Sequence, residues 1–145
     1  MPSRSARTTW TGGLQDGTGT VELVSSGIAS YEVSFPRRTA EDAEGVTSPE
    51  ELIAASHSAC FAMQFSALLG AAGGSGQALD VGAQVSLGPD PAGGLRITGI
   101  KLTVRGSAEG VSAEKFAEVA EQAKSSCPVS KALAGTTISL EVLAG

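Results

Sequence analysis

The stretch from residue 52 to residue 72 most constrains what this chain can fold into. It is apolar nearly all round, rich in alanine and about long enough to span a bilayer. Such a run either crosses a membrane or forms the buried central helix of a globular fold. Ser56, His57, Ser58, Gln64 and Ser66 interrupt it, Glu50 and Glu51 stand at its start, and no basic cluster flanks it. These features favour the buried helix, and no membrane partner is expected. Its beginning is well marked. Ser48 fits the N-cap position, with Pro49 at N1 and Glu51 at N3, a capping box with proline in its preferred place. The helix is predicted to run to about Leu69, where Gly70 and the Gly73-Gly74-Ser75-Gly76 cluster end it.

Strands surround this helix in the sequence. Arg7 to Thr11, Gly19 to Ser25 and Ile28 to Phe35 read as a β-meander, with Ser26-Gly27 as a turn. Residues 36 to 47 read as a polar loop. After the helix, strands are predicted over 78–87 and 95–106, joined by a turn from Pro89 to Gly94. The second of these loses its alternation between Ile97 and Leu102, and a bulge near Gly99 would repair the register. Ser112 caps a helix from Ala113 to about Ser125, with Phe116, Val119, Ala120 and Ala123 as its apolar stripe. Cys127-Pro128 opens a short helix to about Ala134, and Thr136 to Leu143 is a last strand. The order is β-β-β-α-β-β-α-α-β, an α+β chain. Its 145 residues suit a single domain over 1–145 with one hydrophobic core.

Charge and cysteine usage narrow the function. The net charge of −5 argues against a nucleic-acid partner, which needs a basic face. Charged residues make up only 17% of the chain, which hints at surface lost to a subunit interface. The N-terminus lacks the apolar core of a signal peptide, and two cysteines are too few for a secreted disulfide scaffold. A cytoplasmic location is expected, and a disulfide there is more often catalytic or sensory than structural.

Cys60 lies inside the long helix and Cys127 at the start of the short one. A thiol attacks as thiolate, and a free cysteine with a pKa of about 8.5 is mostly protonated at neutral pH. Cys60 is too far along its helix for the N-terminus to activate it, and burial alone would raise its pKa. A cation must therefore reach it from elsewhere. Arg37 and Arg38 are the candidates, with Glu50 or Glu51 to orient the guanidinium. Glu50 precedes Cys60 by ten positions, which at about 100° per residue puts the two on different stripes. Glu51 shares the face of Cys60, but its capping role competes. Cys127, as an N-cap, would face orphan backbone N–H groups, which suits a resolving cysteine. The cycle would run through thiolate, sulfenic acid, intramolecular disulfide and reduction by an outside dithiol. From spacing alone, two inert core thiols compete with this reading. His57 shares the face of Cys60 and reads as a hydrogen-bonded core or interface histidine ahead of a base. One histidine with two distant cysteines is a thin zinc set, and no P-loop, dinucleotide fingerprint or nucleophile elbow is present.

The runs Thr47-Ser-Pro-Glu-Glu-Leu-Ile-Ala-Ala-Ser-His-Ser-Ala-Cys60-Phe-Ala-Met and Ser126-Cys127-Pro-Val-Ser-Lys-Ala-Leu, together with Trp10-Thr-Gly-Gly, resemble the OsmC/Ohr family. Its members are osmotically inducible and organic hydroperoxide resistance proteins. The resemblance covers nearly the whole chain and leans to the OsmC branch. It implies a thiol-dependent peroxidase that reduces organic hydroperoxides, and hydrogen peroxide less well, to alcohols and water. On it Cys60 is peroxidatic, Cys127 resolving, Arg38 the catalytic arginine and Glu50 its orienting carboxylate. It further implies an intertwined homodimer with the central helices buried at the interface, a lipoyl-type dithiol reductant, and no metal, flavin or haem. One departure from the pattern, an acidic insert at Glu41-Asp42-Ala43-Glu44, keeps Arg37 as the alternative to Arg38. A redox-sensing or ligand-binding member of the same fold without turnover is the runner-up.

Overall fold

The computed structural model describes residues 1–143. It divides into two compact units, residues 1–52 and 53–145, and the division falls inside a helix.

The first unit holds an antiparallel meander of β1 (Arg7–Thr11), β2 (Thr18–Glu22) and β3 (Ser30–Val33), in that order. The first strand has the predicted bounds, and the other two are shorter than expected. Trp10 explains the glycine of β2. Its ring lies so close over the facing strand that a Cβ at Gly19 would meet Trp10 Cε3 at 2.8 Å and Val33 Cγ2 at 3.0 Å. The predicted loop over 36–47 is corrected at its start. Residues Phe35–Thr39 form a short helix, α1, because the Ser34 hydroxyl accepts from the Arg37 N–H and Pro36 sits in the first turn. The observed order is therefore β-β-β-α-α-β-β-α-α-β. The turn after this helix contains Glu44 in the left-handed region, at φ 49°.

Helix α2 runs Pro49–Ala71. The Ser48 hydroxyl accepts from the Glu51 N–H at 3.2 Å, as half of the predicted capping box requires. The other half differs, since the Glu51 carboxylate takes its hydrogen from the Thr47 hydroxyl.

The second unit holds β4 (Ser75–Pro89), β5 (Leu95–Glu109) and β6 (Ile138–Leu143) in sheet order β4-β5-β6. The first pair is antiparallel and the second parallel. A parallel neighbour needs a crossover, and α3 (Ala113–Ser126) with α4 (Pro128–Ala132) supplies it. The expected bulge is present. Ser86 pairs with Gly99 and Leu87 with Ile97, so Thr98 is the extra residue. The Ser112 hydroxyl caps α3, whose buried residues are Phe116, Val119, Ala120 and Ala123, the stripe read from the sequence.

The core of this unit lies between α2, α3 and β5. His57, Phe61, Phe65 and Leu69 recur every fourth residue along α2, and all are fully buried. Phe65 packs edge-on against Phe116 of α3 at a centroid distance of 4.8 Å. Each such buried aromatic contributes roughly 2–3 kcal/mol by area removed from water. The buried surface of α2 is nonetheless one stripe and not the whole circumference. Met63, on another face, is 73% exposed. By length and composition α2 could cross a membrane, but its buried stripe packs on its own chain.

Candidate active site

The second unit brings the two thiols together. Cys60 immediately precedes Phe61 of the buried stripe and is therefore half-buried at its margin. Cys127 closes α3, its N–H bonding to the Ala123 carbonyl, and it is the N-cap of α4. Pro128 after it ends the first helix and starts the second. The two sulfurs stand 3.0 Å apart, within hydrogen-bonding distance, and longer than the roughly 2.05 Å of a disulfide. Both cysteines are free, and Cys127 is fully buried.

Two further side-chain contacts run beside the sulfurs. The His57 ring Nε2 and Ser130 Oγ are 2.7 Å apart. Gln64 Nε2 donates to Ser126 Oγ at 3.0 Å. Positions 57, 60 and 64 of α2 thus meet 130, 127 and 126 in antiparallel order. One stripe of α2 clamps the corner between α3 and α4. His57 is the hydrogen-bonded core histidine that its sequence setting suggests. Ser130 and Gln64 were not singled out in the sequence. For Ser130 the signal was its place three residues after the N-cap Cys127.

The thiols are electrostatically unequal. Burial pushes Cys60 above its ordinary range, the Cys127 thiol adds to this, and the Val129 N–H offsets part of it. Burial acts the same way on Cys127, but other groups outweigh it. The hydrogen bond with Cys60, the N–H and hydroxyl of Ser130 and the N–H of Val129 bring Cys127 below its ordinary range. Of the two thiols, Cys127 is the one whose surroundings favour the thiolate.

Burial also lowers the pKa of His57. Its stability consequence has a definite sign. Above about pH 6.5 the ring is neutral in folded and unfolded chains alike. As pH falls below that value the unfolded chain takes a proton that the folded chain resists, so stability drops until the lowered folded pKa is reached. The melting temperature should fall as pH is lowered through about 6.5, and His57→Gln should show a weaker fall over the same window. Equal pH dependence in both proteins, each melting cooperatively, would refute the assignment.

The first unit separates the two arginines. Arg38 Nε lies 3.1 Å from each carboxylate oxygen of Glu50, and Nη2 lies 2.7 Å from Oε1. Glu50 is buried, only 7% exposed, and its hydrogen bond holds the Arg38 proton even more firmly than usual. Arg37 turns to the acidic insert, its Nη1 2.9 Å from Glu44 Oε2 and within reach of the Asp42 carbonyl. The five-residue helix α1 sends consecutive arginines apart, since neighbours on a helix do not share a face. Beside Arg38 lies a cavity of about 230 Å³ walled by Trp10, Leu14, Val33, Phe35 and Pro49. A larger cavity of about 430 Å³, between α3 and the ends of β5 and β6, contains neither thiol nor arginine. Among the described residues no cluster of histidine, cysteine and carboxylate side chains has metal-binding geometry.

The chain is similar to known proteins. A family model described as OsmC-like protein matches residues 41–142, which include Glu50, Cys60 and Cys127. The Peroxiredoxin OsmC of Escherichia coli (strain K12) is 39% identical over 124 residues, covering 86% of this chain and 85% of the relative. The organic hydroperoxide resistance protein OhrB of Bacillus subtilis superimposes with a TM-score of 0.73 at 28% identity, covering 96% of this chain and 98% of that one. An OsmC-like protein of unknown function from Vibrio cholerae reaches a TM-score of 0.75 at 19% identity, covering 99% and 100%, and shares the fold.

Proposed function

We propose, from the premise that this chain belongs to the OsmC-like protein family, that it is a cysteine-based peroxidase acting on organic hydroperoxides, and on hydrogen peroxide less well. The observation that carries the reading is the 3.0 Å approach of two free thiols from residues distant in sequence. Two inert core thiols have no need of that approach. The Cys60 thiolate attacks the distal oxygen of the hydroperoxide. The O–O bond breaks, the alkoxide leaves with a proton as alcohol, and Cys60 becomes a sulfenic acid. The Cys127 thiolate then attacks Cys60 Sγ, the S–S bond forms, and hydroxide leaves with a proton as water. An outside dithiol, of lipoyl type by family resemblance, exchanges with the disulfide and is itself oxidised. The cycle as written requires no metal, flavin or haem.

Cys60 needs a cation, because its own surroundings push its pKa up. In this reading Arg38 supplies it, with Glu50 fixing the plane of the guanidinium, and the fork holds thiolate and peroxide oxygen together. The apolar walls of the cavity beside Arg38 suit the hydrocarbon tail of an organic hydroperoxide better than hydrogen peroxide. The exposed apolar face of α2 suits a second copy, so an intertwined cytoplasmic homodimer completes the proposal.

Reduced protein mixed with one equivalent of tert-butyl hydroperoxide should lose both thiols rapidly, and a dithiol should restore them. Hydrogen peroxide should act more slowly. Two thiols untouched by either peroxide would refute the reading. Cys127→Ser should consume one equivalent and then stall at the sulfenic acid or over-oxidise. A variant that still cycled normally with a dithiol would remove Cys127 from the resolving role.

A further inference from the structure

His57, Cys60 and Gln64 follow one another at helical spacing and share one face of α2. At a rise of about 1.5 Å per residue, His57 stands roughly 4.5 Å before Cys60 along the axis and Gln64 roughly 6 Å after it. Each of the outer two makes one polar contact with the α3–α4 corner, and the contacts bracket the thiol pair. His57 Nε2 lies 2.7 Å from Ser130 Oγ, and Gln64 Nε2 lies 3.0 Å from Ser126 Oγ. The peroxidase cycle above uses none of these four side chains. Both contacts have a fixed sense. Ser126 spends its own proton on the Gln122 carbonyl at 2.7 Å, so its oxygen accepts from Gln64. On the other side, His57 is fully buried and its Nδ1 has no partner among the described residues. A buried N–H without an acceptor is rarer than a buried acceptor without a donor, so the proton belongs on Nε2 and His57 donates to Ser130.

The apolar packing beside these contacts does not set the register of the sulfurs. Phe61, Phe65 and Leu69 hold α2 in the core by burial, which has no direction along the helix axis. Packed helices slide past one another in small shear motions, and such a slide would carry Cys60 past Cys127. The sulfurs, 3.0 Å apart, must close by about 1 Å to bond. Directional hydrogen bonds on both sides of the pair oppose a slide in either sense.

We propose that the His57–Ser130 and Gln64–Ser126 hydrogen bonds form a two-point register clamp that holds Cys127 Sγ within bonding reach of Cys60 Sγ, which makes these four side chains positioning residues for disulfide closure. The inference rests on the peroxidase reading for its place in the cycle, but the clamp acts on any route that joins the two sulfurs. In the cycle, Cys127 Sγ attacks Cys60 Sγ of the sulfenic acid, the S–S bond forms, the S–O bond breaks, and hydroxide leaves with a proton from solvent as water. The clamp takes no part in bond making. It raises the effective concentration of one sulfur at the other.

Glutathione buffers of graded composition read that effective concentration without peroxide, because glutathione disulfide takes up the two electrons as the protein thiols join. Gln64→Leu, Ser126→Ala and Ser130→Ala should each shift the balance toward the dithiol about tenfold. Ser126→Thr, which keeps the hydroxyl, should restore it. Gln64→Leu combined with Ser126→Ala should do no more than either alone, since both remove one contact. Gln64→Leu combined with Ser130→Ala should multiply to about a hundredfold. In the peroxide reaction the same variants should slow disulfide closure relative to sulfenic acid formation by the same factors. Gln64 and Ser126 are half-buried, so their side of the clamp can be removed without opening the core, and a cooperative melt verifies the fold. An unmoved glutathione balance in folded Gln64→Leu and Ser126→Ala proteins overturns the clamp, even where peroxide is turned over. A shifted balance in a protein inert to peroxide upholds the clamp and sinks the peroxidase reading alone.

Discussion

Cys60→Ser should eliminate peroxide reduction. The hydroxyl of serine keeps its proton at neutral pH, so the attacking anion disappears, and the rate should fall at least ~10³-fold, to the level without protein. The fold should survive the change. Cys60 lies at the edge of the core, half-buried, and serine is nearly the same size. Circular dichroism and a cooperative melt close to that of the unmodified protein would establish this, and peroxide consumption in the presence of a dithiol reads the activity. Cys127→Ser serves as the contrast, since it should still consume one equivalent. The two variants therefore separate attack from resolution. If Cys60→Ser retained substantial turnover while Cys127→Ser lost it, the roles of the two thiols would be exchanged. The electrostatics give that comparison its edge, because the surroundings favour the thiolate at Cys127 and disfavour it at Cys60.

The second large effect belongs to Arg38. Arg38→Ala should slow the attack on hydroperoxide by about 10²–10³-fold, the usual cost of removing one preorganised donor from developing charge. Arg37→Ala should change it by no more than about twofold, since its salt bridge to Glu44 is an exposed contact worth roughly 0.5 kcal/mol. Arg38→Ala also strands Glu50, a buried carboxylate, so it should destabilise the protein by about 1–3 kcal/mol after allowance for the partial exposure of the arginine. Arg38→Lys keeps the charge and loses the fork over Glu50, and should recover stability more fully than activity. Rapid-mixing measurement of sulfenic acid formation distinguishes these outcomes. A larger loss in Arg37→Ala than in Arg38→Ala would move the assignment by one residue.

Local features of the fold were legible in the sequence wherever one residue decides the outcome. Ser112 announces its helix, the four apolar residues of α3 fall on one stripe, and the failed alternation around Gly99 marks a bulge. The short helix at Phe35–Thr39 went unread because five residues carry too little periodicity, though Ser34 and Pro36 were its start signal. The long strands ran three residues beyond prediction at Ser75 and Glu109, because the Gly73–Gly76 cluster that stops α2 passes into the sheet through a register irregularity. The choice between the two arginines depended on where the acidic insert turns, a matter of tertiary contact. Glu50 was told from Glu51 only through the family resemblance, since spacing and capping left both open. Ser130 had a local signal in its place after Cys127, but its pairing with His57 was beyond reach, since the two lie 73 positions apart.

On the proposed cycle, the unequal burial of the two cysteines would govern how an oxidised molecule reopens. Cys127 is sealed from solvent and Cys60 is not. An incoming dithiol would then meet Cys60 Sγ, the mixed intermediate would form there, and Cys127 would depart. The departing sulfur is also the one whose surrounding N–H and hydroxyl donors favour the anion, and a thiol of lower pKa leaves faster. Entry and exit are assigned to different atoms by the packing of one helix against one corner. The donors that would hasten closure of the disulfide would hasten its opening as well, so the proposed bond would behave as a reversible latch.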